Sequence, residues 1–328
     1  MNILHLLSQT HLTGAEVYAM KLISKQQKEH QCFVISDTLN TQTNARFFSQ
    51  KIDKRDIFNR VRNLIFLIKF CKKYNIDIIH SHSRAASWLA YYIEKIIKIK
   101  IISTIHGRQI ANRKNIYGKN IITICENLKS HLINDLLIDK ETITVIPNGF
   151  DLSIQPQTIL EPIKIAWIGR LTGPKGEVIK KLADMFKNTP NIVVDCFGGP
   201  NVNVAEFNKK TAKNIHFKGQ INNVLEKMQQ YTIIFGSGRV AIEALFLGKI
   251  VYAIGESNAI GFITAENFKE ASKSNFGDCA ESVEIDIQKV QNDLKKFINN
   301  PQINDLTKEL ELYQLESVYQ QVMSIYAS

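Results

Sequence analysis

The sequence predicts an α/β protein of two Rossmann-like domains facing each other across a cleft, and three observations predict it. Its 328 residues, 45% of them hydrophobic, are enough for two cores of ordinary size and too many for one compact domain. Short β-branched runs alternate with amphipathic stretches from the first residues onward, the pattern of βαβ units and a mostly parallel sheet. That alternation stops once, in PNGFDLSIQPQTILEP, where Pro147, Pro156 and Pro162 fall close together and Asn148-Gly149 gives a turn signal. It then restarts, so the predicted domains are residues 1–150 and 151–310, with 311–328 as a final helix.

In the first half, strands are predicted at 2–7, 31–36, 76–80, 100–105, 121–125 and 143–146, with helices near 15–28, 55–74, 84–97 and 126–138. In the second, strands at 163–168, 192–197, 215–218, 232–235 and 250–254 alternate with helices near 175–188, 204–213, 222–231 and 239–248, and further helices fill 284–326.

Composition excludes several classes. Cys32, Cys71, Cys125, Cys196 and Cys279 are odd in number and widely spaced, with neither a CxxC pair nor histidines at metal-ligand spacing, so no disulfide framework, zinc site or cofactor is expected and a reducing cytoplasm fits. The apolar run in MNILHLLSQT is too short for a signal peptide, and no run of about 18 apolar residues suggests a membrane span. Net charge is +10, but residues 1–150 carry 22 Lys+Arg against 11 Asp+Glu and residues 151–328 carry 19 against 20. The excess on the first half implies an anionic partner, a membrane surface or nucleic acid, unless it serves solubility alone. Nothing resembling a helix-turn-helix, zinc or RNP signature accompanies it, which argues against nucleic acid.

In IAWIGRLTGPKG, Gly169-Arg170 stands at the end of a strand and Lys175 at the start of the next helix. Ligands in open α/β sheets sit off the carboxyl ends of strands, and helix N-termini attract anions, so the two cations can neutralise a diphosphate. The alternative is a surface turn with solvated charges. In FGSGRVAIEALFLGK, a Gly236-Ser237-Gly238 loop leads into a helix at Arg239, and Glu243, one turn in, can accept both hydrogen bonds of a ribose diol or merely favour the helix dipole. A Walker A lysine motif and GxGxxG are both absent, which argues against a nucleoside triphosphatase and against a dehydrogenase.

In the first half, HLTGAE places His11 in a loop and the N–H groups of Gly14 and Ala15 at a helix start, suited to a phosphate. His106 in STIHGR ends one strand, and His80 and His82 in IIHSHSR end another, with Arg84 just beyond. His80 is expected in the core and His82 pointing the opposite way.

In order along the chain, TGAE, IHSHSRAASWLA, STIHG, ITICENLKSHL, VIPNGFD, IGRLTGPKG, CFGGP and GRVAIEALFLGKIV resemble segments of the retaining GT-B glycosyltransferases of family 4, and YQLESVYQQVMSIY resembles the helix that crosses back onto the first domain of that fold. The SHSRAASWLA and GRVAIEAL forms are most similar to enzymes of bacterial lipopolysaccharide and surface-glycan synthesis. The resemblance implies a UDP- or GDP-linked sugar donor and a glycan or lipid-linked acceptor. It implies that Arg170 and Lys175 bind the diphosphate in place of a metal, that Glu243 holds the ribose, and that Gly14 contacts phosphate. Gly169, Gly198, Ser237, Gly238 and Arg239 complete the implied donor site; His106 lies beside the sugar, and His11, His82 and Arg84 lie on the acceptor side. One departure stands out: Phe235 occupies the place of the family's first glutamate, so either the Ser237–Arg239 loop takes over the sugar contacts or activity is weakened. A sugar-nucleotide epimerase of the same shape and a non-catalytic nucleotide-sugar binder are the alternatives.

The helix IFNRVRNLIFLIKFCKK, read at 100° per residue, gathers Ile57, Phe58, Val61, Leu64, Ile65 and Ile68 on a face expected to pack on the sheet. Phe66 and Phe70 are then expected outward beside Arg62, Lys69 and Lys73, as a contact for anionic inner-leaflet lipid or as a surface covered by a neighbouring helix or second subunit.

Overall fold

The computed structural model describes residues 1–8, 14–38, 44–53, 56–109, 116–187, 192–199, 204–256, 258–281 and 283–328. The chain divides into two compact units, Met1–Asp151 with Tyr313–Ser328, and Leu152–Leu312.

The first unit is built from β1 (Asn2–Leu6), α1 (Gly14–Gln26), β2 (Gln31–Ser36), β3 (Arg46–Ser49), α2 (Ile57–Lys73), β4 (Ile78–Ser81), α3 (Arg84–Ile97), β5 (Lys100–Ile105), β6 (Ile121–Thr123), α4 (Glu126–Asn134) and β7 (Ile143–Val145). Its sheet runs β3-β2-β1-β4-β5-β6-β7, and all its pairings are parallel. The order reverses between β1 and β4, which makes the carboxyl ends of those strands the place where a doubly wound sheet opens. The edge strand β3 escapes the sequence pattern because RFFS is only four residues long and does not alternate.

The second unit follows with β8 (Ile165–Ile168), α5 (Gly173–Phe186), β9 (Val194–Phe197), α6 (Val204–Lys210), β10 (Ile215–Gly219), α7 (Val224–Met228), β11 (Ile233–Gly236), α8 (Arg239–Phe246), β12 (Ile250–Ile254), β13 (Ala259–Phe262), α9 (Phe268–Lys273), α10 (Ile287–Asn299) and α11 (Thr307–Glu311). Its sheet runs β10-β9-β8-β11-β12-β13, parallel except for β13, and reverses between β8 and β11. Strand β13 and α9 were not legible beforehand, β13 because AIGF carries Gly261 at φ 114° and has no period to read. Two parallel-dominated α/β sheets with flanking helices are the predicted class.

The last helix, α12 (Leu315–Ala327), belongs to the first unit, where Val318, Tyr319, Val322 and Tyr326 pack with Ile3, Tyr18, Leu22, Ile78 and Ile102. Strand alternation sorts the rest: Leu4 and Leu6 face a separate core with Leu67, Phe70, Ala86, Leu89 and Ile93 of α2 and α3.

Helix α2 is rotated relative to the sequence expectation. Its buried residues are Asn63, Leu67, Phe70 and Cys71, whereas Ile57 and Phe58, at 74% and 73% exposure, and Val61 and Ile65 face solvent. Phe70 lies among Phe33, Phe48 and Tyr74, and Phe66 is half-buried beside it. Hydrophobic residues surround this helix almost completely, so periodicity alone could not choose a face. Asn63 decides it: Gln50 Nε2 donates to its Oδ1 at 2.6 Å and its Nδ2 donates to the Lys51 carbonyl at 2.8 Å, so the polar residue is a satisfied anchor turned inward. Arg62, Lys69 and Lys73 are exposed, as expected.

Candidate functional site

The second unit gathers its predicted residues at the switch point of the sheet. Strand β8 delivers Gly169 and Arg170, and β11 delivers Gly236 and Ser237 beside it. The backbones are close-packed here: a Cβ on Gly198 would stand 1.8 Å from the Gly169 carbonyl oxygen, and one on Gly176 would stand 2.6 Å from that of Leu171, so only glycine fits either position. Helix α5 begins at Gly173, φ 66°, with Pro174 in its first turn, so Lys175 rises from the helix N-terminus. Its Nζ donates to Ser237 Oγ at 3.0 Å, which joins the two predicted segments.

Each of the two cations has a carboxylate partner that the sequence reading missed. Arg170 pairs with Glu256 at 2.9 Å and Lys175 with Asp278 at 2.8 Å. Glu256 follows β12, so the rule that ligands sit off strand ends could have found it; Asp278 belongs to no recognisable motif. Gly238 caps α8 at φ 54°. Arg239 and Glu243 bind each other at 2.9 Å, and Glu243 is 2% exposed, so the predicted ribose carboxylate is a buried group held by the neighbouring guanidinium. Phe235 is fully buried in the core with Trp167, Ile179 and Tyr252, so it is not a group beside a sugar.

In the first unit, Gly14 and Ala15 open α1, and a Cβ built on Gly14 meets nothing within 4 Å. His11 lies outside the described residues. Arg84 opens α3, capped by Ser83 Oγ, which accepts from Ala86 N–H at 3.2 Å.

The histidines form a row along one face of the sheet. His80 and His82 are two residues apart and therefore share a face, with ring centroids 4.2 Å apart; the opposite orientation expected for His82 is corrected by the same alternation that governs strands. His82 is buried and pairs through Nε2 with His5 Nδ1 at 3.0 Å, while His5 Nε2 reaches Gln26 Oε1 at 2.8 Å. His80 uses both nitrogens, on the Tyr326 hydroxyl at 2.6 Å and the Thr104 hydroxyl at 2.7 Å. Nitrogens of His5, His80 and His82 lie within 4.8 Å of one another, a cluster invisible as sequence spacing because β1 and β4 bring it together, but the ring nitrogens of His5 and His80 are already engaged in hydrogen bonds. Burial pushes His5 and His106 down to about 4, and burial with the neighbouring imidazoles holds His80 and His82 well below the usual histidine range. The row is therefore neutral at physiological pH. His106 stacks on His82 at 5.8 Å, meets Tyr18 edge-on, and has both ring nitrogens buried without a hydrogen-bond partner among the described residues. Such a group calls for a ligand or water to complete it.

Residues 12–154 match the model of Glycosyltransferase Family 4. Over 162 residues the chain is 25% identical to the UDP-Gal:α-D-GlcNAc-diphosphoundecaprenol α-1,3-galactosyltransferase of Escherichia coli, a match covering 44% of this chain and 41% of that enzyme's length. Among solved structures, Anabaena HepE in complex with UDP-glucose superposes with a TM-score of 0.76 at 16% identity, covering 100% of this chain and 99% of that one. The lipopolysaccharide outer core galactosyltransferase WaaB, in its apo form, gives 0.72 at 14% identity, with 99% of both chains covered. The doubly wound sheet of each unit and these structural likenesses show the GT-B glycosyltransferase fold, and residues 12–154 carry the likeness to Glycosyltransferase Family 4.

Proposed function

We propose that the chain transfers a sugar from a nucleotide diphosphate donor to a glycan or lipid-linked acceptor, with retention of anomeric configuration and without a metal ion, in the synthesis of a bacterial lipopolysaccharide or other surface polysaccharide. The observation that carries the proposal is Lys175 bonded to Ser237 at the switch point of the second sheet, with Arg170 and the first turn of α5 alongside. As the bond from sugar to diphosphate breaks, negative charge grows on the departing phosphate. Fixed cations and helix N–H groups placed where that charge develops stabilise it without having to reorganise. His106, uncharged, acts as a hydrogen-bonding group for the sugar rather than as an acid. The named substrate of the Escherichia coli relative and the ligand in the HepE structure support a UDP-linked donor.

A lipid-linked acceptor makes residence at the inner face of the cytoplasmic membrane useful. No helix among the described residues is long and apolar enough to cross a membrane. The contact in this reading is the solvent face of α2, where Ile57, Phe58, Val61 and Ile65 stand beside Arg62, Lys69 and Lys73. The function is tested by incubating the full chain with UDP-galactose, UDP-glucose or GDP-mannose and a diphosphoundecaprenyl-linked sugar in the presence of EDTA, and reading the product's anomeric configuration by NMR. Transfer with retention is expected from one donor. Activity abolished by EDTA overturns the metal-free reading, and an inverted product overturns retention.

A further inference from the structure

The cations at the switch point are guarded unequally. Arg170 and Glu256 meet at the surface, with side-chain exposures of 60% and 32%, whereas Lys175 and Asp278 are 15% and 24% exposed. An exposed pair contributes little, while a pair largely withdrawn from water is screened far less. Asp278 Oδ1 also accepts the Ser237 hydroxyl at 2.6 Å, so one carboxylate oxygen fixes both the lysine and the loop serine.

The backbone that presents this carboxylate is unusual. Asn275, Phe276 and Gly277 stand consecutively at φ 52°, 56° and 96°, a left-handed run that is costly for a buried phenylalanine. Gly277 N–H donates to Ser274 Oγ at 3.1 Å and Cys279 N–H to the Ser274 carbonyl at 2.8 Å, while Gly238 N–H donates to the Asn275 carbonyl at 3.0 Å and ties the turn to the glycine loop. A Cβ on Gly238 would lie 2.7 Å from Asp278 Oδ2, so glycine there also leaves the carboxylate its space.

We propose that Asp278 is the resident counter-ion of Lys175: it holds the ammonium beside Ser237 in the empty site, yields it to the donor's diphosphate, and recaptures it as the nucleotide diphosphate leaves. The proposal rests on the reading of Lys175 as the diphosphate lysine. Asp278 is thus a positioning residue that acts through Lys175. Its negative charge opposes phosphate, so neutralising it strengthens diphosphate binding. The same change removes the group that reclaims the lysine, so release slows. An aspartate that served only to build the turn would do the opposite, because its loss would loosen the site.

The test is titration calorimetry and stopped-flow release on the full chain with UDP, GDP and inorganic pyrophosphate, comparing wild type with Asp278→Asn, Asp278→Ser, Asp278→Glu and Lys175→Ala. Asp278→Asn keeps an oxygen for Ser237, and Asp278→Ser is a second neutral variant should the first fold poorly. Both neutral variants are expected to bind pyrophosphate and the preferred nucleotide roughly three- to tenfold more tightly, with release slowed by a similar factor. Asp278→Glu is expected to return both values toward wild type. Unchanged or weaker binding in folded neutral variants overturns the role of Asp278. If Lys175→Ala binds as tightly as wild type, the reading of Lys175 itself fails and takes this proposal with it.

Discussion

Phe235 lies flat against Tyr252, with ring centroids 4.8 Å and planes 11° apart, and Phe186 meets it edge-on at 6.0 Å. The place of the family's first glutamate is therefore an aromatic core position. Strand β11 turns this side chain toward α5, and burying such a ring stabilises the unit by about 1.5–3 kcal/mol. A glutamate placed there should consequently harm the protein. Phe235→Glu is expected to lower the unfolding free energy by about 3–5 kcal/mol in urea titrations, through an unpaired buried carboxylate and lost packing, and to raise no activity.

Lys175→Ala is expected to reduce kcat/KM for the donor by roughly 10²–10³-fold, as loss of a preorganised charge stabiliser does. Arg170→Ala should cost less, because the guanidinium is more exposed and better screened. Steady-state kinetics at two ionic strengths separates them, with the Arg170 contribution fading more in salt.

On α2, Phe58→Asp with Ile65→Asp should abolish sedimentation with phosphatidylglycerol-containing vesicles while leaving thermal stability near wild type, since both side chains are exposed. Reversing Arg62, Lys69 and Lys73 to Glu should weaken the same binding by roughly 1 kcal/mol per residue. Phe70→Ala should instead destabilise the first unit by about 3–5 kcal/mol, because that ring fills the core. Vesicle binding unaffected by the paired aspartates would remove the membrane reading.

The imidazole row sets a pH dependence. His5 and His106 have folded values near 4 against an ordinary 6.5, and burial with the neighbouring imidazoles holds His80 and His82 well below the usual histidine range. Between those values the unfolded chain binds more protons than the folded one, so stability is complete above about pH 6.5 and is lost as pH falls toward 4, at roughly 1 kcal/mol per pH unit for each group. Urea unfolding at pH 7.5 and 5.0 should show this loss, and His5→Gln should reduce it.

Much of this was legible because strands and helices carry different periods. The βα alternation, the proline-marked junction, the strand-end position of Arg170 and the helix-start position of Lys175 all follow from local pattern. What escaped depended on contacts between distant segments. The orientation of α2 turns on Asn63 meeting the Gln50 side chain and the Lys51 backbone, and the pairing of His5 with His82 on the register of β1 with β4. Asp278 reaches Lys175 only through a left-handed turn that no propensity announces. Phe235 was read as a gap in a motif, but its neighbours make it a core residue.

In the proposed function Lys175 and its loop grip the diphosphate of a sugar donor. The most direct test of that grip is transfer of radiolabelled sugar from the preferred nucleotide donor to a lipid-linked acceptor by wild type and Lys175→Ala, with folding verified by circular dichroism. Wild type is expected to transfer robustly and the variant to lose at least about a hundredfold. Equal transfer by a folded Lys175→Ala protein would contradict that grip.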